Sequence, residues 1–65
     1  MIALTKLNGD RVVVNADQIR YVEGRPDTYV TFIDKDRIIV RESVEQVVGQ
    51  CVAYARALRI ERPAA

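Results

Sequence analysis

One segment of the chain has a helical repeat: SVEQVVGQCVAYARAL, residues 43–58. Its apolar residues recur every three or four positions, a spacing that places them on one side of an α-helix. Ser43 is a favourable N-cap, and Gln46 three residues later completes a capping box. The pattern predicts an amphipathic helix over Ser43–Leu58 that buries the stripe Val44, Val47, Val48, Cys51, Val52, Ala55 and Leu58.

The chain before this helix is typical of β-structure, with short β-branched or aromatic runs separated by turn residues. Asn8-Gly9 predicts a hairpin turn in which both residues have positive φ. Asn15-Ala16-Asp17 predicts a kink or a short helical turn. The predicted strands are residues 2–7, 11–14, 18–23, 28–33 and 37–41. The expected fold is α+β: a small antiparallel sheet of four or five strands packed against one C-terminal α-helix. We expect one domain over residues 1–60 and a disordered tail over residues 61–65.

Composition excludes several classes of protein. The 65 residues include 10 basic and 9 acidic side chains, for a net charge of +1, which is atypical of a polyanion-binding protein. There is one cysteine and no histidine, so an internal disulfide is impossible and a zinc ligand set is lacking. Cys51 lies on the apolar stripe and is interpreted as a structural thiol rather than a reactive one. No run resembles a signal peptide or a transmembrane segment, and we expect a cytoplasmic protein.

The second face of the predicted sheet is apolar. One face, directed at the helix, carries Val12, Val14, Val30, Phe32, Ile38 and Val40. A solvated opposite face would be polar, yet here it carries Val13, Tyr29, Thr31, Ile33 and Ile39. We therefore expect a homo-oligomer that associates through Val13, Tyr29, Ile33 and Ile39. The alternative is an ordinary surface with scattered apolar residues.

No residue pattern indicates catalysis, a cofactor or a metal. Asp34 and Asp36 share a tight turn, and Glu42 and Glu45 flank the start of the helix, where the helix dipole favours anions. Neither pair is expected in the desolvated pocket that general acid–base catalysis needs. We predict no catalytic, cofactor-binding or metal-binding residues. Gly49, inside the helix, indicates either close approach of another backbone or plain tolerance.

Basic side chains on neighbouring strands have two interpretations. Arg11, Arg37 and Arg41 align near Tyr29, an arrangement that some single-strand nucleic-acid binders use. Asp10, Asp36 and Glu42 interleave with them, which favours a solvated or ion-paired face instead.

Four short motifs follow one another along the chain: Ile2-x-Leu4-Thr5-x-Leu7-Asn8-Gly9, Asn15-Ala16-Asp17-x-Ile19, Pro26-Asp27-Thr28 and Val40-x-Glu42-Ser43-Val44-x-x-Val47. Together they resemble the FlbD family, small proteins of flagellar operons also called SwrD for their link to swarming motility. The resemblance covers residues 2–58 and departs from the family at Asp34-Lys35-Asp36, where members tend to have a glycine turn. The Arg- and Ala-rich end is also atypical.

The resemblance implies a non-enzymatic cytoplasmic accessory of the flagellar system that supports motor power, through the stator units or their assembly. Glu42 is the one motif position for which no local reason for a carboxylate is apparent. We expect Glu42, Arg41 and Arg37 at the partner interface, with flagellar motor or stator components as partners and a location at the periphery of the motor.

Two nucleic-acid-binding families share part of the pattern. Asp17-x-Ile19-x-Tyr21-Val22-Glu23, with the strand that follows it, is similar to the first half of LytTR DNA-binding domains. The opening Met1-Ile2-x-Leu4-Thr5, with Val40-Arg41-Glu42, resembles the RNA-binding regulator CsrA, although the glycine- and proline-bearing middle of that family is missing. A small nucleic-acid-binding regulator is therefore the alternative, and the near-neutral charge counts against it.

Overall fold

Five short strands, one 3₁₀ turn and one long helix make up the protein. The computed structural model describes residues 1–24 and 26–61, with helix side chains as far as residue 58. The predicted tail over residues 61–65 lies outside this description except for Glu61, the last helical residue. In chain order the elements are β1 (Ile2–Thr5), β2 (Arg11–Val14), a 3₁₀ turn (Ala16–Gln18), β3 (Ile19–Gly24), β4 (Thr28–Phe32), β5 (Arg37–Val40) and α1 (Val44–Glu61).

The described strands form two antiparallel sheets rather than one. β1 pairs with β2, and β3, β4 and β5 form a three-stranded meander. An antiparallel bridge between Lys6 and Val40 connects the two sheets where β1 passes the end of β5. The predicted α+β class is confirmed, and the described strands number five, the larger of the two predicted counts, with the division into two sheets as an addition.

The buried core lies where the two sheets meet the first half of α1. Val30 and Val40 belong to the face predicted to meet the helix, and Val12, Val14, Phe32 and Ile38 of that face pack around the core. Burial of these apolar side chains is the main stabilising term for such a small domain. The fully or nearly fully buried apolar side chains are Ile2, Leu4, Val30, Val40 and Val47.

The helix begins as predicted, with a capping box. The Gln46 amide N–H donates to the Ser43 hydroxyl at 3.1 Å, and the Ser43 amide N–H donates to the Gln46 side-chain oxygen at 2.8 Å. These two bonds satisfy backbone donors that the helix leaves without intrahelical partners.

The prediction that the whole apolar stripe is buried is wrong. Val47 is fully buried and Cys51 is half-buried against the core, but Val48 is 47% exposed and Val52 is 43% exposed. Leu58 is 37% exposed. An 18-residue helix is about 27 Å long, and α1 packs mainly against β1 and β3. The apolar arc of the helix is therefore wider and longer than the surface that these short strands provide.

Gly24, at the end of β3, lets the helix approach the sheet closely. A Cβ atom at this position would lie 2.8 Å from Cγ2 of Val44, a distance that real Cβ contacts do not show. Gly49 has no such neighbour within 4 Å. The close-approach interpretation of Gly49 therefore finds no support within the described chain.

Two hairpin turns in the chain have the same hydrogen-bond pattern. In the first, the Gly9 amide donates to the Lys6 carbonyl and the Lys6 amide donates to the Asp10 carbonyl. In the second, the Lys35 amide donates to the Phe32 carbonyl and the Phe32 amide to the Asp36 carbonyl. Each is thus a three-residue loop whose last residue has positive φ, 95° at Gly9 and 76° at Lys35.

The predicted two-residue turn at Asn8-Gly9 is therefore wrong in one respect. Asn8 does not adopt positive φ, because the loop also includes Leu7 and only Gly9 enters the left-handed region. The Asn8 side-chain oxygen instead accepts from the Asp10 amide at 2.9 Å. The turn predicted at Asn15–Asp17 is confirmed: the Asn15 side chain accepts from the Asp17 amide at 3.0 Å and begins the 3₁₀ turn.

Candidate functional site

Two of the predicted partner residues, Arg41 and Glu42, lie where β1 meets the end of β5. We call the group Thr5, Lys6, Val40, Arg41 and Glu42 the β1–β5 junction. The Arg41 amide donates to the Thr5 carbonyl at 2.7 Å, and the Thr5 amide donates to Oε1 of Glu42 at 2.8 Å. Both backbone groups of Thr5 are thus bound by Arg41 and Glu42, the two residues that follow β5.

The Arg41 side chain extends this junction to the first hairpin turn. Its Nε and Nη2 atoms donate to the Leu7 carbonyl at 3.2 Å and 2.9 Å. The structure therefore gives Arg41 and Glu42 roles inside the fold. The sequence offers no local reason for a carboxylate at Glu42, and the structure supplies a distant one, because the partner amide of Thr5 is 37 residues away.

The charge of Glu42 is stabilised at this position. Burial alone would raise the pKa of its carboxyl group, but hydrogen bonds from the backbone N–H of Thr5 and from its own backbone N–H lower it. The Thr5 hydroxyl and the positive charge of Arg11 act in the same direction. The net effect is a pKa below the ordinary value for glutamate, so the ionised form holds the junction at neutral pH.

Arg37, the third predicted partner residue, lies on the outer face of the three-stranded sheet. Its guanidinium carbon is 5.6 Å from the centre of the Tyr29 ring, within range of a cation–π contact. The predicted proximity of Arg37 and Tyr29 is confirmed. Arg37 is exposed and opens β5, where it pairs in register with Thr31 of β4.

Three cationic side chains line a cleft on this outer face. We call it the basic cleft; it has a volume of about 390 Å³, and its lining consists of Arg20, Tyr21, Thr31, Lys35 and Arg37. None of these described lining residues is acidic. Tyr21, Thr31 and Arg37 form one row across β3, β4 and β5. Arg20 lies at a register shift in β3, and Lys35 belongs to the turn between β4 and β5.

Thr31 occupies the middle of this row and is buried, with 6% of its surface exposed. Its hydroxyl oxygen has no hydrogen-bond partner within the described part of the chain. Buried hydroxyl groups normally have such a partner, and leaving one without it costs free energy. The sequence pattern placed Thr31 on the outer face but missed the cleft, because Arg20 and Lys35 come from a bulge and a turn that strand alternation does not predict.

The four residues predicted for self-association are not brought together as one group by strand pairing. Tyr29 and Ile39 are half-buried neighbours in the β4–β5 register. Ile33, in the turn after β4, is 56% exposed, and Val13 on β2 of the other sheet is 63% exposed.

The candidate acidic pairs lie in a turn and at the start of the helix. Asp34 accepts from the Asp36 amide at 3.1 Å within the turn, and Glu45 lies in the first turn of α1.

Burial raises the pKa of the Cys51 thiol, which disfavours the reactive thiolate. Within residues 1–24 and 26–61, no three potential metal ligands cluster, and no described helix is both long enough and apolar enough to cross a membrane.

The chain matches a known protein family. A family model for FlbD, described as flagellar and swarming motility proteins, matches residues 1–58. The match spans every strand and most of α1. No curated protein and no solved structure matches the chain significantly.

Proposed function

This chain belongs to the FlbD family of flagellar and swarming motility proteins, and we propose that it is a non-enzymatic accessory that acts by binding other proteins of the flagellar system. The observation that carries the proposal is the family match over residues 1–58. A binding role rather than a catalytic one is also supported by Glu42 and Asp34. Their carboxylates accept hydrogen bonds from backbone amides and so stabilise the fold.

The proposed partner is a motor or stator component, contacted on the cytoplasmic side of the flagellar motor. Arg41 and Glu42 already bind groups of the chain itself, whereas Arg37 projects from the outer face with its charge beside Tyr29. We therefore assign the partner contact to the outer face of β3–β4–β5, with Arg37 as its central residue. Exposed arginine and tyrosine side chains are the types most enriched among energetically important interface residues.

The proposal is tested by deleting the gene in the host and restoring it from a plasmid. We expect the deletion to reduce swimming and swarming while leaving the number of flagellar filaments unchanged, and the plasmid copy to restore motility. Tagged protein should co-purify with motor or stator proteins. Unchanged motility in the deletion strain would refute the proposal. A labelled DNA or RNA that binds the pure protein, with affinity falling steeply as salt rises, would favour the nucleic-acid alternative.

Self-association is a separate proposal. Val13 and Ile33 are the most exposed members of the predicted set, at 63% and 56%, and covering them would remove apolar surface from water. Sedimentation velocity at micromolar concentration should show an oligomer that Val13→Asp dissociates. Because Val13 is exposed, this change should leave folding intact. Val48→Asp on the helix is a matched control. A wild-type protein that sediments as a monomer would refute the proposal.

A further inference from the structure

The basic cleft concentrates charge that the chain as a whole does not have. The net charge is +1, yet Arg20, Lys35 and Arg37 surround one cleft whose described lining holds no acidic residue. Glu23, which opposes Tyr29 in the next row of the same face, lies outside that lining, as do Asp34 and Asp36 on either side of Lys35. Three cations around one depression repel one another, and an anion bound between them would relieve that repulsion.

Thr31 is the second observation that indicates a ligand. A valine has the same shape and would fill this buried position without leaving a hydroxyl unpartnered. Thr31 instead lines the cleft together with three cationic residues and Tyr21, and its buried hydroxyl oxygen lies beneath this surface without a partner. A small movement of the side chain would let the hydroxyl donate a hydrogen bond to an anionic oxygen in the cleft, either directly or through one water molecule.

Lys35 contributes to the same cleft from a backbone conformation that favours glycine. Its φ is 76°, and the corresponding position of the other hairpin is Gly9. Lys35 is the only non-glycine residue with positive φ in the described ranges. Strained positions cluster at functional sites, and here the strained residue is part of the cleft lining.

We propose that the basic cleft binds carboxylate side chains of an acidic segment on the flagellar partner protein. This inference rests on the proposed function, because it assumes that the partner is a protein. Guanidinium groups bind carboxylates through paired hydrogen bonds. Tyr21, in the lining of the cleft, is 46% exposed, and aromatic and arginine side chains together are typical of protein interfaces.

Other occupants fit the charges less well. A second copy of this chain placed symmetrically on the cleft would bring its three cations against the same three cations, which is unfavourable. A nucleic acid would draw most of its affinity from neutralising many phosphates, and a chain with a net charge of +1 supplies few cations beyond the cleft.

The proposal is tested by nuclear magnetic resonance titration of the whole chain at low salt. The probes are acetyl-hexaglutamate amide, acetyl-hexaglutamine amide and inorganic phosphate. We expect the hexaglutamate peptide to shift the amide signals of Tyr21, Thr31, Lys35 and Arg37, with the shifts weakening as salt rises. The hexaglutamine peptide should shift none of them. Absence of these shifts, or equal shifts with phosphate alone, would overturn the proposal.

Matched variants identify the groups involved. Arg20→Gln and Arg37→Gln should each weaken hexaglutamate binding about two- to fivefold, as expected for exposed charge pairs. Arg56→Gln makes the same change on the exposed part of α1 and should leave binding unchanged. Thr31→Val should weaken binding yet raise the urea midpoint, because it removes the unpartnered hydroxyl. If Arg56→Gln weakens binding as much as Arg37→Gln, the interaction is not specific to the cleft and the proposal fails.

A motility assay separates this inference from the proposed function. The double variant Arg20→Gln/Arg37→Gln should fail to restore swarming to the deletion strain, while Arg56→Gln should restore it. Normal swarming with the double variant would overturn the cleft assignment and leave the flagellar function standing. Normal swarming of the deletion strain itself would overturn the function on which the inference rests.

Discussion

Replacing Lys35 by glycine should stabilise the fold, because Lys35 has a left-handed backbone conformation in which its Cβ atom is sterically strained. Its φ of 76° places Cβ too close to the following carbonyl oxygen, at a cost of about 1–2 kcal/mol for an L-residue. Glycine removes this cost but loses about 0.5–1 kcal/mol through the greater freedom of the unfolded chain. The difference between these two ranges is a net gain in the free energy of unfolding of up to about 1.5 kcal/mol, with a central value of about 0.8 kcal/mol.

The measurement is urea unfolding followed by far-ultraviolet circular dichroism. With a slope of about 1 kcal/mol/M for a chain of this size, the central value corresponds to a rise in the midpoint of about 0.8 M. Lys35→Ala is the matched control, because it removes the side chain and keeps Cβ, and it should change stability by less than about 0.5 kcal/mol. The reverse change, Gly9→Ala, should lower the midpoint by a similar amount.

The Gly9 result depends on backbone conformation alone. A Cβ at Gly9 would meet only Nη2 of Arg41, at an ordinary contact distance of 3.7 Å. If Lys35→Gly and Lys35→Ala give the same midpoint, the left-handed conformation is not the source of strain and the reasoning is refuted. Lys35→Gly also removes one of the three cations of the basic cleft. We therefore expect the same variant to be more stable than the wild type and to bind hexaglutamate more weakly.

Three further predictions follow from burial and from the β1–β5 junction. Val47→Ala should destabilise the protein by about 2 kcal/mol, whereas Val48→Ala should change stability by less than about 0.5 kcal/mol, and equal urea midpoints would show that the core is misassigned. Gly24→Ala should destabilise by about 1–3 kcal/mol, because its Cβ would lie 2.8 Å from a methyl group of Val44; an unchanged thermal midpoint would contradict this close packing. The pKa of Glu42 is lower in the folded state than its ordinary value, so its contribution to stability is present above that ordinary value and is lost as pH falls through the folded pKa. Glu42→Gln should therefore lose less stability than the wild type between pH 6 and pH 3, as measured by urea titrations at both pH values, and parallel losses would contradict the assignment.

Sequence patterns predict those parts of this fold that depend on near neighbours. The capping box of Ser43 and Gln46 and the Asn15 turn each involve side chains and amides within three residues, and both are confirmed. The core positions Val30 and Val40 follow from strand alternation, because successive side chains point to opposite faces.

The parts that sequence patterns missed depend on distant contacts. Helical periodicity identifies an apolar arc, but the area of sheet available to cover it decides that Val47 is buried while Val48 is exposed. The role of Glu42 depends on Thr5, 37 residues earlier in the chain. The basic cleft combines a bulge, a turn and a strand end, so no single segment carries its signature.

The β1–β5 junction has a consequence for synthesis of the protein. The two hairpins that flank it are local, and elements of that kind form within about 1–10 μs. Thr5 and Lys6, however, leave the ribosome long before Val40, Arg41 and Glu42, at synthesis rates of about 5–20 residues per second. During that interval of seconds the β1–β2 hairpin has no second sheet to contact. An isolated two-stranded hairpin is only marginally stable in water, so we expect the nascent chain to remain largely unfolded until residue 42 and the first turns of α1 have emerged.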